Sequence, residues 1–107
     1  MNDCTFCQIV NKEKSADIVL ETDDVIVFPD INPHAPVHLL IVPKKHTQDV
    51  MEVGNETWIK IKDVAQRLAK ERELEGFRLV HNAGNAAIIP HLHVHFMAGV
   101  SAEDKLR

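Results

Sequence analysis

Residues 91–99, HLHVHFMAG, place His91, His93 and His95 at every second position, with Leu92, Val94 and Phe96 between them. Strict alternation over this length is the pattern of a β-strand, whose successive side chains point to opposite faces of a sheet. One face of that strand is apolar and belongs against a core. The other carries three imidazoles and belongs to a groove or a polar layer. The chain must therefore build a sheet that is packed on one side and chemically active or solvated on the other. An appended tag is excluded, because tags are contiguous and terminal, whereas these histidines are internal and interleaved with apolar residues.

The rest of the chain supplies the layers such a sheet needs. Phe6, Ile9 and Val10 recur at helical spacing, so residues 4–11 are expected to form a short helix. DIVLE and VIVFPD are β-branched runs separated by the polar TDD and read as a hairpin; PVHLLIVP, bracketed by Pro36 and Pro43, reads as a third strand. One long helix follows, with Asn55 as its expected cap, Glu56 at its positive end and Gly76 as its expected stop. Trp58, Ile61, Ala65 and Leu68, with Val64 beside them, form one stripe to be buried, and KDVAQRLAKERELE charges the opposite face. FRLVHN and HLHVHFMAG are two further strands joined by AGNAAIIP. The predicted architecture is α+β: a mostly antiparallel five-stranded sheet with one long helix and a short N-terminal helix.

A chain of 107 residues makes a single domain, residues 1–107, large enough for one core. The net charge of -4 speaks against a general nucleic-acid binder. No apolar run approaches membrane-spanning length, and MNDCTFCQIV lacks the basic flank and apolar core of a signal peptide. The expectation is a cytoplasmic protein with no membrane partner. Cys4 and Cys7 form a C-x-x-C pair. A disulfide there would close a tiny loop, and cytosol keeps thiols reduced. The pair is a redox couple, half of a zinc site or two ordinary thiols.

Three alternating histidines have three readings: a metal site, a catalytic site or a solvated polar face. Neighbours two apart on a strand are separated by roughly 6.6 Å and the outer pair by about 13 Å. Zinc–nitrogen bonds of about 2.0–2.1 Å require converging nitrogens, so one ion shared by all three is disfavoured. Nucleophilic chemistry suits the spacing. Imidazole is mostly neutral near pH 7, and its free nitrogen can attack phosphorus to form a phosphorus–nitrogen bond. A neighbouring histidine or a backbone carbonyl must then hold the attacking ring in one tautomer, and a third, charged ring could stabilise developing charge or protonate a leaving group.

His91, Leu92, His93, Val94, His95, Phe96 and Met97 together resemble the signature of the histidine triad superfamily. The resemblance extends through CTFCQIV, VFPDINPHAPVHLLIVPKKH and NAG, nearly the whole chain. It is strongest to the small nucleotide-binding branch that includes the purine nucleoside phosphoramidases. It implies a purine nucleotide substrate bound in a groove on the sheet, with His93 as the nucleophile, His95 on the phosphate and His91 supporting the site by hydrogen bonding. Asp30 matches the acid that holds the ribose hydroxyls, although as a residue ahead of Asn32-Pro33 it also suits a turn. Phe6, Ile9, Phe28 and Ile31 match the apolar walls around the base, positions that would equally suit plain core. Asn82 matches a polar residue near the phosphate, and His38 a supporting position beside the triad. Some bacterial relatives hold structural zinc through residues that correspond here to Cys4, Cys7, His46 and His91. No organic cofactor is implied, and a homodimer is.

The departure from the family lies just upstream of the triad. Relatives carry a longer loop with glycine and a glutamine or serine, groups that contact the phosphate or protonate the leaving amine. Here the chain reads NAGNAAIIPHLH, with Ala87, Ile88, Ile89 and Pro90 in their place and Asn85 as the nearest polar side chain. Losing one polar transition-state contact can cost on the order of 10²–10³ in rate. Leaving-group preference and turnover are therefore less determined than nucleotide binding.

Overall fold

The computed structural model describes residues 4–104. Its elements are α1 (Thr5–Val10), β1 (Leu20–Glu21), β2 (Val25–Pro29), β3 (Val37–Pro43), α2 (Asn55–Glu71), β4 (Phe77–Val80), a 3-10 turn (Gly84–Ala86) and β5 (Val94–Ala98). The strands form one sheet in the order β1-β2-β3-β5-β4, and every adjacent pair is antiparallel. The α+β architecture is the one the hydrophobic pattern predicts.

Alternation along the central strands sorts two cores onto the two faces of the sheet. Val25, Val27, Leu39, Ile41, Val94 and Phe96 pack against Ile61, Val64, Ala65 and Leu68 of α2. On the other face Ile26, Phe28, Leu40 and Val42 meet Phe6 and Ile9 of α1. Both faces of β2 and β3 are thus dry, which is why these strands read as continuous apolar runs. The tight β1–β2 turn is held by Thr22, whose hydroxyl accepts the N–H groups of Asp24 (3.2 Å) and Val25 (3.0 Å).

Several expected boundaries move, each for a physical reason. Gly54, not Asn55, caps α2; it is extended and makes no side-chain capping bond, and Asn55 is the first helical residue. Helix α2 stops at Glu71, well before Gly76. Glu73 adopts φ 53, its N–H donates to the Lys70 carbonyl (3.2 Å), and the Leu74 N–H reaches back to Ala69 (3.0 Å). This is a Schellman termination with glutamate in the left-handed position, anchored by Leu74 packing on the core. Trp58 is not in the buried stripe: it is 39% exposed, with its ring edge-on to His81 at 6.3 Å.

The histidine strand is also shorter than its alternation suggests. Pairing of β3 with β5 ends at Ile41 opposite Val94. Pro43 has no N–H with which to carry the ladder further. The Leu92 N–H is instead taken by the Thr47 carbonyl at 2.7 Å. His91, Leu92 and His93 therefore lead into β5 without belonging to it, while Leu92 stays fully buried on the α2 side.

Candidate active site and metal cluster

A groove of about 1120 Å³ opens on the α1 side of the sheet. Phe6, Ile9, Phe28, Asp30, Ile31 and His38 line it together with Asn82, His93 and His95. Phe6, Ile9 and Phe28 are at once groove wall and core, and Phe6 meets Phe28 edge-on at 5.6 Å. Ile31 is different: it stands 92% exposed at the mouth.

Hydrogen bonds assign the histidine tautomers. The Nδ1 of His93 lies 2.8 Å from the main-chain carbonyl of His91. A carbonyl only accepts, so the ring proton sits on Nδ1 and Nε2 keeps its lone pair. Of the two holders considered for the attacking ring, the backbone carbonyl is the one present. Burial pushes the His93 imidazole below its ordinary pKa of 6.5, and the bond to the carbonyl opposes that only in part.

A second chain of bonds orients His95. The His34 N–H donates to Nδ1 of His38 at 2.9 Å, so His38 carries its proton on Nε2. That proton is donated to Nδ1 of His95, also at 2.9 Å, which leaves His95 with its proton on Nε2. The His95 ring stands 5.2 Å from the His93 ring. Burial, then the neighbouring His93 and His38, hold the His95 pKa down to about 4. The charged third ring expected from the sequence is therefore not present near neutrality. His95 is a neutral donor through Nε2–H.

Asp30 serves a turn and a site together. Its Oδ1 accepts the Asn32 N–H at 2.8 Å. Its Oδ2 lies 3.5 Å from Nε2 of His38 and 3.7 Å from Nδ1 of His95.

The His91 ring faces away from this group. Its Nδ1 is 3.3 Å from Sγ of Cys4 and 3.4 Å from Sγ of Cys7. The Nδ1 of His46 is 3.1 Å from Sγ of Cys7, and the four ligand atoms lie within 4.8 Å of one another. Tetrahedral zinc, with bonds of about 2.3 Å to sulfur and about 2.05 Å to nitrogen, requires sulfur–nitrogen separations near roughly 3.5 Å. The Nε2–H of His91 donates to the Pro43 carbonyl at 2.8 Å, so the Nδ1 lone pair points at the sulfurs. This donor set fits zinc in type, spacing and tautomer.

Asp30, His38 and His95 also converge within 4.8 Å. They do not fit a metal in the same way. The His34 N–H occupies Nδ1 of His38, so Nε2 holds the proton and has no lone pair to offer.

Sequence reasoning did not single out Thr47, Asp49 or His81. Thr47 and Asp49 are among the few buried polar residues. Their only trace in the sequence is a polar stretch, HTQD at residues 46–49, after the third strand. His81 ends a strand pattern, where a polar residue is unremarkable.

The groove, the alternating histidines and the sulfur–imidazole cluster define a histidine triad protein, and the chain belongs to the HIT family: the HIT domain model matches residues 11–102. A HIT family hydrolase from Clostridium thermocellum superposes with a TM-score of 0.90 at 36% identity, covering 100% of this chain and 99% of that one. A 14 kDa zinc-binding protein of Zea mays is 38% identical over 102 residues, covering 88% of this chain and 80% of its own. A Zn-bound histidine triad family protein from Mycobacterium smegmatis has a TM-score of 0.84 at 29% identity, covering 94% of this chain and 78% of that one.

Proposed function

We propose that the chain is a nucleotide hydrolase or transferase acting on purine nucleoside 5′-phosphoramidates or related phosphate adducts. The observation that carries this reading is the His93 ring, held by Nδ1–H with its Nε2 lone pair free beside the groove. Nε2 attacks the α-phosphorus, a phosphorus–nitrogen bond forms, and the bond from phosphorus to the leaving group breaks. Water then attacks the nucleotidyl-histidine, releasing the nucleoside monophosphate and restoring the ring. The Nε2–H of His95 donates to the phosphate as negative charge builds on it. Asp30 accepts the ribose hydroxyls, Phe6, Ile9, Phe28 and Ile31 hold the base, and Asn82 borders the phosphate. His91 contributes its carbonyl to this site, and its ring to the cluster.

Incubation with adenosine 5′-phosphoramidate tests this. Acid quenching should trap an adduct of nucleotidyl mass on His93, and His93→Ala should form none. Wild-type protein without adduct or turnover, equal to His93→Ala, overturns the proposal. A non-catalytic purine-nucleotide-binding module is the second reading. It is favoured by Ala86, Ile88 and Ile89 lining the groove where a hydroxyl or amide would assist a leaving amine. Monophosphate binding without any adduct is its signature.

Cys4, Cys7, His46 and His91 would hold a structural zinc ion, whose chemistry there is to cross-link α1 to the sheet. A helix of six residues is weak alone, which gives that link a purpose. A homodimer through the outer edge of β4 is supported by Phe77 and Leu79, 41% and 45% exposed on that strand. No helix among the described residues is long and apolar enough to cross a membrane. Cys4 and Cys7, reduced and gathered in the cluster, suit a cytoplasmic location.

A further inference from the structure

The nucleophile proposed above sits just outside the regular sheet. β5 begins at Val94, and the β4–β5 pairing ends at Val80 opposite His95. The carbonyl of His93 is taken by a side chain: Nδ1 of His81 lies 3.1 Å from it. The other nitrogen of His81, Nε2, accepts the Val50 N–H at 3.0 Å. These two bonds admit one tautomer, with the His81 proton on Nδ1 and donated to His93.

Val50 belongs to a segment that grips the strand entrance at other points. The Thr47 carbonyl accepts the Leu92 N–H at 2.7 Å. Asp49 accepts the Met51 N–H through Oδ1 and the Gly84 N–H through Oδ2, both at 2.9 Å. The carboxylate is nearly buried, and the two amides, Gly84 first, hold its pKa below the usual range. Residues 47–51 thereby tie together the peptide before the nucleophile, the loop ahead of the triad and, through His81, the nucleophile's own carbonyl.

From this bonding pattern we infer that His81 is a positioning residue for the His93 nucleophile. The two bonds to His93 act on different groups. The His91 carbonyl orients the ring, and His81 holds the peptide from which the ring projects. A displacement of about 1 Å at a reacting atom can cost roughly 100-fold in rate, so an unheld peptide at this point matters. His81 does not itself line the groove; its ring nitrogens bond the His93 carbonyl and the Val50 N–H, and its ring meets Trp58 edge-on. The inference rests on the proposed role of His93.

The test compares His81→Leu with His81→Gln. Glutamine keeps one donor and one acceptor, so it can bridge Val50 and His93, whereas leucine fills space without bonding. In single-turnover reactions with adenosine 5′-phosphoramidate, His81→Leu should form the His93 adduct roughly 10- to 100-fold more slowly. Its affinity for adenosine monophosphate should stay within about threefold, and His81→Gln should recover most of the rate. Nitrogen-15 NMR of the imidazoles gives a readout independent of turnover. The Nδ1–H tautomer of His93 should be pure in wild type and His81→Gln and mixed in His81→Leu. A His81→Leu protein with wild-type rate and unchanged His93 resonances overturns the inference. If wild type forms no adduct, the proposed function fails and the NMR comparison alone decides the role of His81. Should His81→Leu not fold, His81→Asn, polar but too short for the bridge, takes its place.

Discussion

His91 and His93 are coupled through a single hydrogen bond of 2.8 Å, from Nδ1–H of His93 to the main-chain carbonyl of His91. The ring of the same His91 points at the thiols of Cys4 and Cys7. One residue thus belongs by its backbone to the groove and by its side chain to the cluster, so a shift of the His91 backbone moves both the ring and the carbonyl that sets the His93 tautomer.

Metal removal should therefore act on stability and on His93 together. Protein purified without chelator should carry about one zinc ion per chain by elemental analysis. Stripping it should lower Tm by roughly 5 °C or more, since about 1 kcal/mol shifts Tm by about 4–8 °C in a domain this small. Adduct formation should slow in the same samples and return on zinc addition. Metal-free protein as isolated, with Tm indifferent to chelator and to zinc, sinks the cluster assignment.

The depressed imidazoles give a definite pH dependence. His95 is held at about 4 against an ordinary 6.5, chiefly by burial. Between these values the unfolded chain binds more protons than the folded one, so stability is full above about pH 6.5 and declines as pH falls toward about 4. The His93 pKa is lowered in the same direction by burial. Its lone pair should consequently survive mild acid: adduct formation at pH 6 should remain within about twofold of that at pH 7.5. An imidazole at its ordinary pKa would lose about fourfold over that interval. A fourfold fall in a single-turnover pH series contradicts the burial argument.

Gly99 closes β5 in a conformation that other residues resist. Its φ is 77, and a Cβ there would stand 2.8 Å from Cγ of Pro36. Both strain and contact oppose a side chain, so Gly99→Ala should destabilise by about 1–3 kcal/mol. Gly76→Ala is the control, because a Cβ at that position meets nothing within 4 Å. Urea titrations in which the two variants match each other count against this account.

The β4 edge predicts an oligomeric state. Leu79→Glu places a charge on an exposed edge position and should leave a monomer with its secondary structure intact. Sedimentation velocity at micromolar concentration should show wild type as a dimer. A wild-type monomer removes the dimer, and a dimeric Leu79→Glu moves the interface elsewhere.

Much of this architecture was legible along the chain. Period-two alternation placed Leu92, Val94 and Phe96 on the core face, and the three- and four-residue repeat placed Ile61, Val64, Ala65 and Leu68 beneath α2. The misreadings occurred where local chemistry is degenerate. Asn55 and Gly76 are a good cap and a good stop in isolation. Packing of Leu74 on the core ended α2 earlier, and Glu73 accepted a left-handed backbone that glycine usually takes. Trp58 matched the stripe by spacing but lies at its margin, against His81.

The sequence by itself determined that a sheet must carry imidazoles on one face and a core on the other, because that follows from side-chain direction within one strand. It also carried the triad's resemblance to a family. What only the tertiary structure decided is how each imidazole is held. His38 orients His95, Pro43 turns the His91 lone pair toward Cys4 and Cys7, and His81 holds the His93 carbonyl. Those partners lie 57, 48 and 12 residues away along the chain. A tautomer is set by which donor or acceptor lies about 3 Å away in space, and spacing along the sequence contains no record of that distance.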